Sequence, residues 1–253
     1  MTLTSHSETG TLPLEILLNI LEVLFATDDW DSVLSKQPQL LLINRETYRR
    51  FVHVFYRTVF LKTHNQAVLF LHTIRLSPYL GKLVSNLWVS ASTSDILAHE
   101  SGLSPKLLSI YTPNLRRLSL PRLPSSMGVV GQEKNPFLPR LHTLCVQSMP
   151  KREFFLRGIP QQLENLQRLF VHVPAEKEEA DTEISAGLWV MALIAIIGSQ
   201  PIHITELVIK VPAHPSNEAC IGQIRINKVL VAIGTIDTSL DEERATYGSW
   251  LSE

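Results

Sequence analysis

The sequence is organised around the segment Leu115-Arg-Arg-Leu118-Ser-Leu120. Apolar side chains occupy its first, fourth and sixth positions, and four other segments repeat this pattern: Val84-Ser-Asn-Leu87-Trp-Val89, Leu141-His-Thr-Leu144-Cys-Val146, Leu166-Gln-Arg-Leu169-Phe-Val171 and Ile204-Thr-Glu-Leu207-Val-Ile209. In chain order, their first residues are 31, 26, 25 and 38 positions apart. Because successive side chains of a strand point to opposite faces, the fourth and sixth residues share one face. We therefore expect five short strands that bury a common core.

The repeated segment resembles the strand of a leucine-rich repeat, in which these apolar positions are buried. A helix is expected before the first strand, where Thr63 and Gln66 form a capping box, and a short helix that begins at Ser104-Pro105 runs through Ile110 before the strand at Leu115. Strands that are joined by helices on one side run parallel. The predicted fold class is therefore α/β, with residues 61–253 forming a short, irregular leucine-rich-repeat solenoid whose curved parallel sheet has its helices outside.

A different pattern fills residues 1–60. From Leu12 to Phe25 the apolar residues cover most of the circumference of a helix, which is wider than the stripe of an ordinary surface helix. A second helix is expected from about Leu40 to Arg57. We interpret this region as a compact helical unit whose first helix packs within the protein on one side and meets a partner on the other.

The segment Leu12-Pro13-Leu14-Glu15-Ile16-Leu17-Leu18-Asn19-Ile20-Leu21 resembles the opening of an F-box, and the run from Leu42 to Phe51 is similar to its closing helix. The resemblance implies docking to a Skp-type adaptor and, through it, to a cullin, with Leu12, Pro13, Ile16 and Ile20 at the adaptor contact. It also implies that the repeats select a protein substrate. The chain would then be the substrate-recognition subunit of a Skp-cullin-F-box type ubiquitin ligase, in the cytoplasm, the nucleus or both.

The composition of the first helix also fits a second interpretation. Every solenoid needs a terminal element that covers its end, and an apolar helix from Leu12 to Leu24 would do this as an N-terminal cap. The chain would then be a non-catalytic repeat scaffold for protein–protein interaction, unrelated to ubiquitin.

Strand alternation also predicts a binding surface. If Leu118 and Leu120 point inward, the residues between them face the open concave side of the sheet. In the same register this side carries a column of five residues with two arginines beside it: Trp88, Ser119, Cys145, Phe170 and Val208, flanked by Arg117 and Arg168. Aromatic and arginine side chains are typical anchors of protein interfaces, so we predict partner binding at Trp88, Arg117, Arg168 and Phe170. The alternative is that a loop or the C-terminal segment covers this column.

Composition and motifs indicate a binding protein rather than an enzyme. The formal net charge of −1 gives no electrostatic reason to expect nucleic acid as a partner, and two distant cysteines indicate neither a disulfide framework nor a zinc site. The longest apolar run, Leu188 to Ile197, is shorter than the roughly 20 residues of a membrane-spanning helix. We found no phosphate loop, nucleophile elbow or zinc-binding helix, so no catalytic, cofactor or metal site is predicted.

Overall fold

The structure is a computed structural model of the 253-residue chain. It describes residues 14–25, 45–90, 105–121, 140–147, 165–172, 191, 194–195, 203–212, 221–226, 228–236 and 240–251. The chain divides into two compact units, Met1–Phe55 and Tyr56–Glu253.

The described part of the first unit consists of two helices, α1 (Leu14–Phe25) and α2 (Arg45–Arg57), the second of which ends just beyond the unit boundary. Leu18 and Leu21 of α1 are buried against Phe51 of α2. Three and four residues are the spacings that bring side chains to one face of a helix, so these leucines form a single inward stripe on α1. The two helices predicted from the sequence are therefore present.

In the described residues, the second unit is built on a sheet of eight strands in the order β1-β2-β3-β4-β5-β6-β8-β7. Its strands are β1 (Thr58–Leu61), β2 (Asn86–Val89), β3 (Arg117–Leu120), β4 (Thr143–Val146), β5 (Arg168–His172), β6 (Glu206–Pro212), β7 (Gly222–Ile226) and β8 (Val229–Ile236). All neighbours pair in parallel except β7 and β8, which are antiparallel. The molecule therefore belongs to the α/β class, as the sequence predicted.

One face of the sheet carries the main core. The fourth residue of each predicted segment lies beside the fourth residue of the next, so Leu87, Leu118, Leu144, Leu169 and Leu207 form one row across the sheet. These five side chains are completely buried. We call this side the core face, and the opposite side, which carries Trp88, Ser119, Cys145, Phe170 and Val208, the far face.

Among the described residues, four further helices have defined bounds: α3 (His64–Leu76), α4 (Pro78–Leu83), α5 (Pro105–Tyr111) and α6 (Leu240–Leu251). Phe70 and Ile74 of α3 and Leu108 of α5 belong to the core cluster, so these two helices cover the core face. The predicted capping box of α3 is present, because Thr63 Oγ1 accepts from the Gln66 amide at 3.3 Å and Gln66 Oε1 accepts from the Thr63 amide at 3.3 Å. The helix predicted at Pro105 is also observed.

Two strands of the parallel array differ from the sequence prediction. Strand β1 falls within the residues assigned to the helical unit, yet it pairs with β2 as the first strand of the sheet. Its equivalent of the first apolar position is Tyr56, which packs against the core. Strand β8 continues the array beyond β6, although its equivalent position is the exposed Lys228. Because the repeated pattern has an aliphatic residue at that position, it does not predict either strand.

Candidate interaction surfaces

The first candidate surface is the outer side of α1. Ile16, Ile20 and Val23 are 47%, 45% and 77% exposed. Their spacings of four and three residues place them on one face of the helix, opposite the stripe formed by Leu18 and Leu21. Helix α1 therefore carries two apolar faces, of which one is buried against α2 and the other is open.

Contacts on the buried side hold α1 against α2. Glu22 Oε1 accepts from Arg50 Nε at 3.0 Å and also from Arg50 Nη2, and both side chains are about half exposed. An exposed ion pair of this kind contributes about 0–1 kcal/mol, so the packing of Leu18, Leu21 and Phe51 dominates. The orientation of the outer stripe is thus set by the buried one.

The predicted adaptor residues divide into two groups. Ile16 and Ile20 lie on the open stripe. Leu12 and Pro13 lie outside the described residues. The structure adds Val23, which continues the same stripe by one turn and which the family resemblance alone did not single out.

The second candidate surface is the far face of the sheet. Strand register places Trp88 beside Ser119, Ser119 beside Cys145, Cys145 beside Phe170, and Phe170 beside Val208. Phe60 of β1 extends this row at one end and Ala232 of β8 at the other. The predicted column therefore exists in the predicted order.

The column is not open, however, and this corrects the expectation of a free concave strip. Trp88 is 0% and Phe170 is 2% exposed. Helix α6 lies against the far face, where the rings of Tyr247 and Trp250 meet the Trp88 ring edge-on at centroid distances of 5.5 Å and 5.2 Å. Of the two alternatives that the sequence left open, the structure therefore has the C-terminal segment over Trp88.

Arg168 connects the sheet to α6. Its Nε donates to Glu206 Oε2 at 2.6 Å, and its Nη2 donates to the Ser249 carbonyl oxygen at 3.2 Å. The guanidinium carbon also lies 5.2 Å from the centroid of the Phe170 ring. Backbone carbonyls at the end of a helix carry a partial negative charge, so the cation is placed where the last turn of α6 favours it.

Arg117 lies in the same row on the opposite side of β4. Its Nη1 donates to Asn86 Oδ1 at 3.5 Å, and Asn86 Nδ2 donates in turn to Thr58 Oγ1 at 2.9 Å. This polar chain links the starts of β1, β2 and β3. All four predicted partner-binding residues therefore lie on the far face, but Trp88 and Phe170 are buried there and the two arginines are only partly exposed.

Several polar atoms are buried at this face without a hydrogen-bond partner among the described residues. They are Thr143 Oγ1 and His172 Nε2 on the sheet and Thr246 Oγ1 and Trp250 Nε1 on α6. Burial, and then the positive charge of Lys210, lower the pKa of His172 from 6.5 to about 4. The imidazole is therefore neutral at physiological pH.

The structure describes the surroundings of the candidate nucleophile Cys145 and of the possible metal ligands. Cys145 is completely buried on the far face, so its thiol is not accessible to a substrate. Within the described ranges, no three His, Cys, Asp or Glu side chains are grouped so that they could hold a metal ion. A depression beside the starts of β5 and β6 is lined, in the described part of the chain, by four neutral or weakly basic side chains: Asn165, Gln167, His203 and Thr205.

Comparison of the chain with protein-family models, with curated proteins and with solved structures gave no match. In the part of the chain that the structure describes, no helix has both the length and the apolar character needed to cross a membrane.

Sequence reasoning missed the two aromatic residues of α6 that meet Trp88. The sequence left open that the C-terminal segment covers the column, but it did not indicate which of its residues meet Trp88. One signal pointed to them: Tyr247 and Trp250 are three residues apart, a spacing that places both rings on one face of a helix.

Proposed function

We propose that this chain is the substrate-recognition subunit of a Skp-cullin-F-box type ubiquitin ligase. In this proposal α1 docks a Skp-type adaptor, and the sheet unit holds a protein substrate. The observation that carries the proposal is the open apolar stripe of Ile16, Ile20 and Val23, on the helix that contains Glu15 and Ile16 of the F-box-like sequence Leu-Pro-x-Glu-Ile.

The stripe has the physical character of an interface. Aliphatic side chains that remain in water forgo about 1.5–3 kcal/mol each relative to full burial. Contiguous exposed apolar residues on a folded protein mark surfaces that bind other proteins. Three such side chains on successive turns of α1 therefore supply a ridge for an apolar groove on an adaptor, while Leu18 and Leu21 anchor the helix to its own unit.

The sheet unit supports the second half of the proposal. Strands β1 to β6 lie side by side in sequence order, and each is parallel to the next. The apolar residues of each predicted segment share the core face, as they do in a leucine-rich repeat. An array of this type presents a broad surface built from successive strands, which suits recognition of a folded or helical target.

In this proposal the chain itself carries out no covalent step. The adaptor and the cullin bring a charged ubiquitin carrier to a substrate that the sheet unit holds. Tethering two partners in one assembly raises their effective concentration to the millimolar range, which is the whole contribution required of this chain.

The test is adaptor binding by purified full-length protein carrying Ile20→Glu. A carboxylate in the centre of the stripe would have to be desolvated at the interface, so we expect affinity for a Skp-type adaptor to fall at least tenfold, as measured by biolayer interferometry. The fold should be unaffected, because Ile20 is 45% exposed.

The matched control is Leu69→Glu on α3, where the replaced leucine is 65% exposed and lies in the other unit. This variant should bind the adaptor like the unmodified chain. Failure of the unmodified chain to bind a Skp-type adaptor, or equal binding by Ile20→Glu, would contradict the proposal and favour a repeat scaffold without a ubiquitin connection.

A further inference from the structure

Helix α6 packs on the far face through one of its sides only, as a bound helical ligand does. Thr246, Tyr247 and Trp250 are buried along one side of the helix, whereas Arg244, Gly248 and Ser249 are exposed on the other. Its sequence follows β8 after the three residues 237–239. The contact is therefore made by one face of a short helix.

Two features of the far face select this helix. The first is aromatic: the Trp88 ring receives Tyr247 and Trp250 edge-on, and Phe60 receives Tyr247 at a centroid distance of 6.0 Å. The second is electrostatic. The last turn of α6 has no basic residue of its own, and Arg168 of the sheet supplies the cation by donating to the Ser249 carbonyl oxygen. The far face therefore binds two features of a helix: a pair of aromatic side chains one turn apart, and the backbone carbonyl groups at its carboxyl end.

The fit of α6 is incomplete. On the helix itself, Thr246 Oγ1 and Trp250 Nε1 are buried without hydrogen-bond partners in the described part of the chain. Buried polar groups in a permanent core are normally paired. Gly248 also weakens the helix, because glycine is a poor helix former in an interior position. A helix that left no buried polar atom unpaired would bind the same face more tightly than α6 does.

We propose that the far face is a helix-binding site and that α6 occupies it as an internal stand-in for a helical segment of the protein substrate. That segment carries two aromatic side chains three residues apart and ends beside Arg168, and it binds only when α6 leaves. The identity of the occupant as a substrate rests on the proposed function. The helix-binding site itself rests on the contacts of Trp88 and Arg168.

The experiment measures how a helix competes with α6. The probe is a fluorescein-labelled synthetic peptide of the α6 sequence, residues 240–251, and its binding to the full-length chain is followed by fluorescence anisotropy. Trp250→Ala in the chain removes an internal anchor without changing the site, so peptide affinity should rise at least tenfold. A peptide with alanine in place of Tyr247 and Trp250 is the matched control and should not bind.

A second variant acts in the opposite direction without risk to folding. A methyl group added at Gly248 meets no atom of the described neighbouring residues within 4 Å, and alanine strengthens a helix relative to glycine. Gly248→Ala should therefore hold α6 in place and weaken peptide binding about fivefold. General destabilisation of the protein cannot explain a peptide affinity that rises for Trp250→Ala and falls for Gly248→Ala.

Equal peptide affinity for the unmodified chain and both variants would overturn the proposal, because α6 would then be a permanent part of the core. Dimerisation of the unmodified chain through exchange of α6, seen by light scattering, would also overturn it, since the occupant would be a second copy. The assay contains no adaptor, so its result is independent of the Ile20→Glu test. If the unmodified chain does not bind the adaptor but the peptide affinities shift as predicted, only the proposed link to ubiquitin is refuted. The helix-binding site would then stand.

Discussion

Arg168 is the residue at which the sheet, α6 and the aromatic column meet. Replacement by glutamine removes the charge-assisted bond to Glu206 and the contact with the Ser249 carbonyl. A hydrogen bond to a charged group contributes about 1.5–3 kcal/mol, so Arg168→Gln should lower the free energy of unfolding by that amount. Urea denaturation followed by circular dichroism measures the change.

Arg50→Gln is the matched control, because it removes an arginine–glutamate pair that is more exposed than the pair at Arg168. We expect a loss of at most about 1 kcal/mol. Equal losses for the two variants would mean that the contacts of Arg168 are no stronger than those of a surface ion pair.

His172 predicts a pH dependence of stability. Its pKa is lowered from 6.5 to about 4 in the folded chain by burial and Lys210. Below pH 6.5 the unfolded chain takes up a proton that the folded chain does not, so stability is complete above pH 6.5 and falls as the pH decreases toward 4. The loss attributable to this group is about 3 kcal/mol, since each unit of pKa corresponds to about 1.4 kcal/mol.

His172→Gln should remove this part of the pH dependence, as measured by urea midpoints at pH 7.5 and pH 5. His53→Gln serves as the comparison, because His53 is an exposed imidazole on α2. A slope between the two pH values that is unchanged by His172→Gln would assign the dependence to other groups.

At the scale of elements, the packing of α4 against α5 depends on a glycine. A Cβ at Gly81 would overlap the carbonyl oxygen of Tyr111, which belongs to the backbone and cannot move aside as a flexible side chain does. Gly81→Ala should therefore destabilise the protein by about 1–3 kcal/mol despite the better helix propensity of alanine. Thermal unfolding monitored by circular dichroism tests this expectation.

Gly248→Ala is the paired control within a helix that has open space at the same position. It should raise the free energy of unfolding by up to about 1 kcal/mol. A Gly81→Ala protein that is as stable as the unmodified chain would show that α4 and α5 can separate without loss.

The elements that sequence reasoning found share a strong local signal. Aliphatic residues at three positions of each segment specified five strands, and Thr63 with Gln66 specified the start of α3. Strands β1 and β8 were not predicted, because Tyr56 and Lys228 occupy the first position of the segment, where the other strands have a leucine, isoleucine or valine. Pairing with β2 and with β6 places these two strands in the sheet, and this is a tertiary effect that a local pattern does not contain.

At the scale of the whole molecule, the row of leucines makes the sheet a chain of nearest-neighbour contacts. Leu144 is completely buried in the middle of this row. Leu144→Ala should destabilise the protein by about 2–5 kcal/mol, and the loss should spread to strands on both sides. Hydrogen-exchange mass spectrometry in urea should show equal midpoint shifts for β2 and β6.

Val68→Ala is the control for this prediction, because Val68 is 48% exposed on α3. It should change stability by no more than about 0.5 kcal/mol. A shift confined to β4 and its immediate neighbours would show that the array unfolds strand by strand rather than as one unit.

The candidate sites were predictable to different degrees. The register of the far face follows from strand alternation, so the order of Trp88, Ser119, Cys145 and Phe170 could be read from spacing alone. The position of α6 could not, because the contact of Trp88 with Tyr247 joins residues 159 positions apart. Only the folded sheet brings these residues together.

That separation has a consequence during synthesis. A ribosome adds about 5–20 residues per second, so Trp88 leaves it on the order of ten seconds before Tyr247 is made. Throughout this interval the nascent sheet presents an indole that is completely enclosed in the finished protein. The growing polypeptide therefore exposes an aromatic surface around Trp88 until α6 emerges. Chaperones that recognise aromatic surfaces have a defined period in which to bind it.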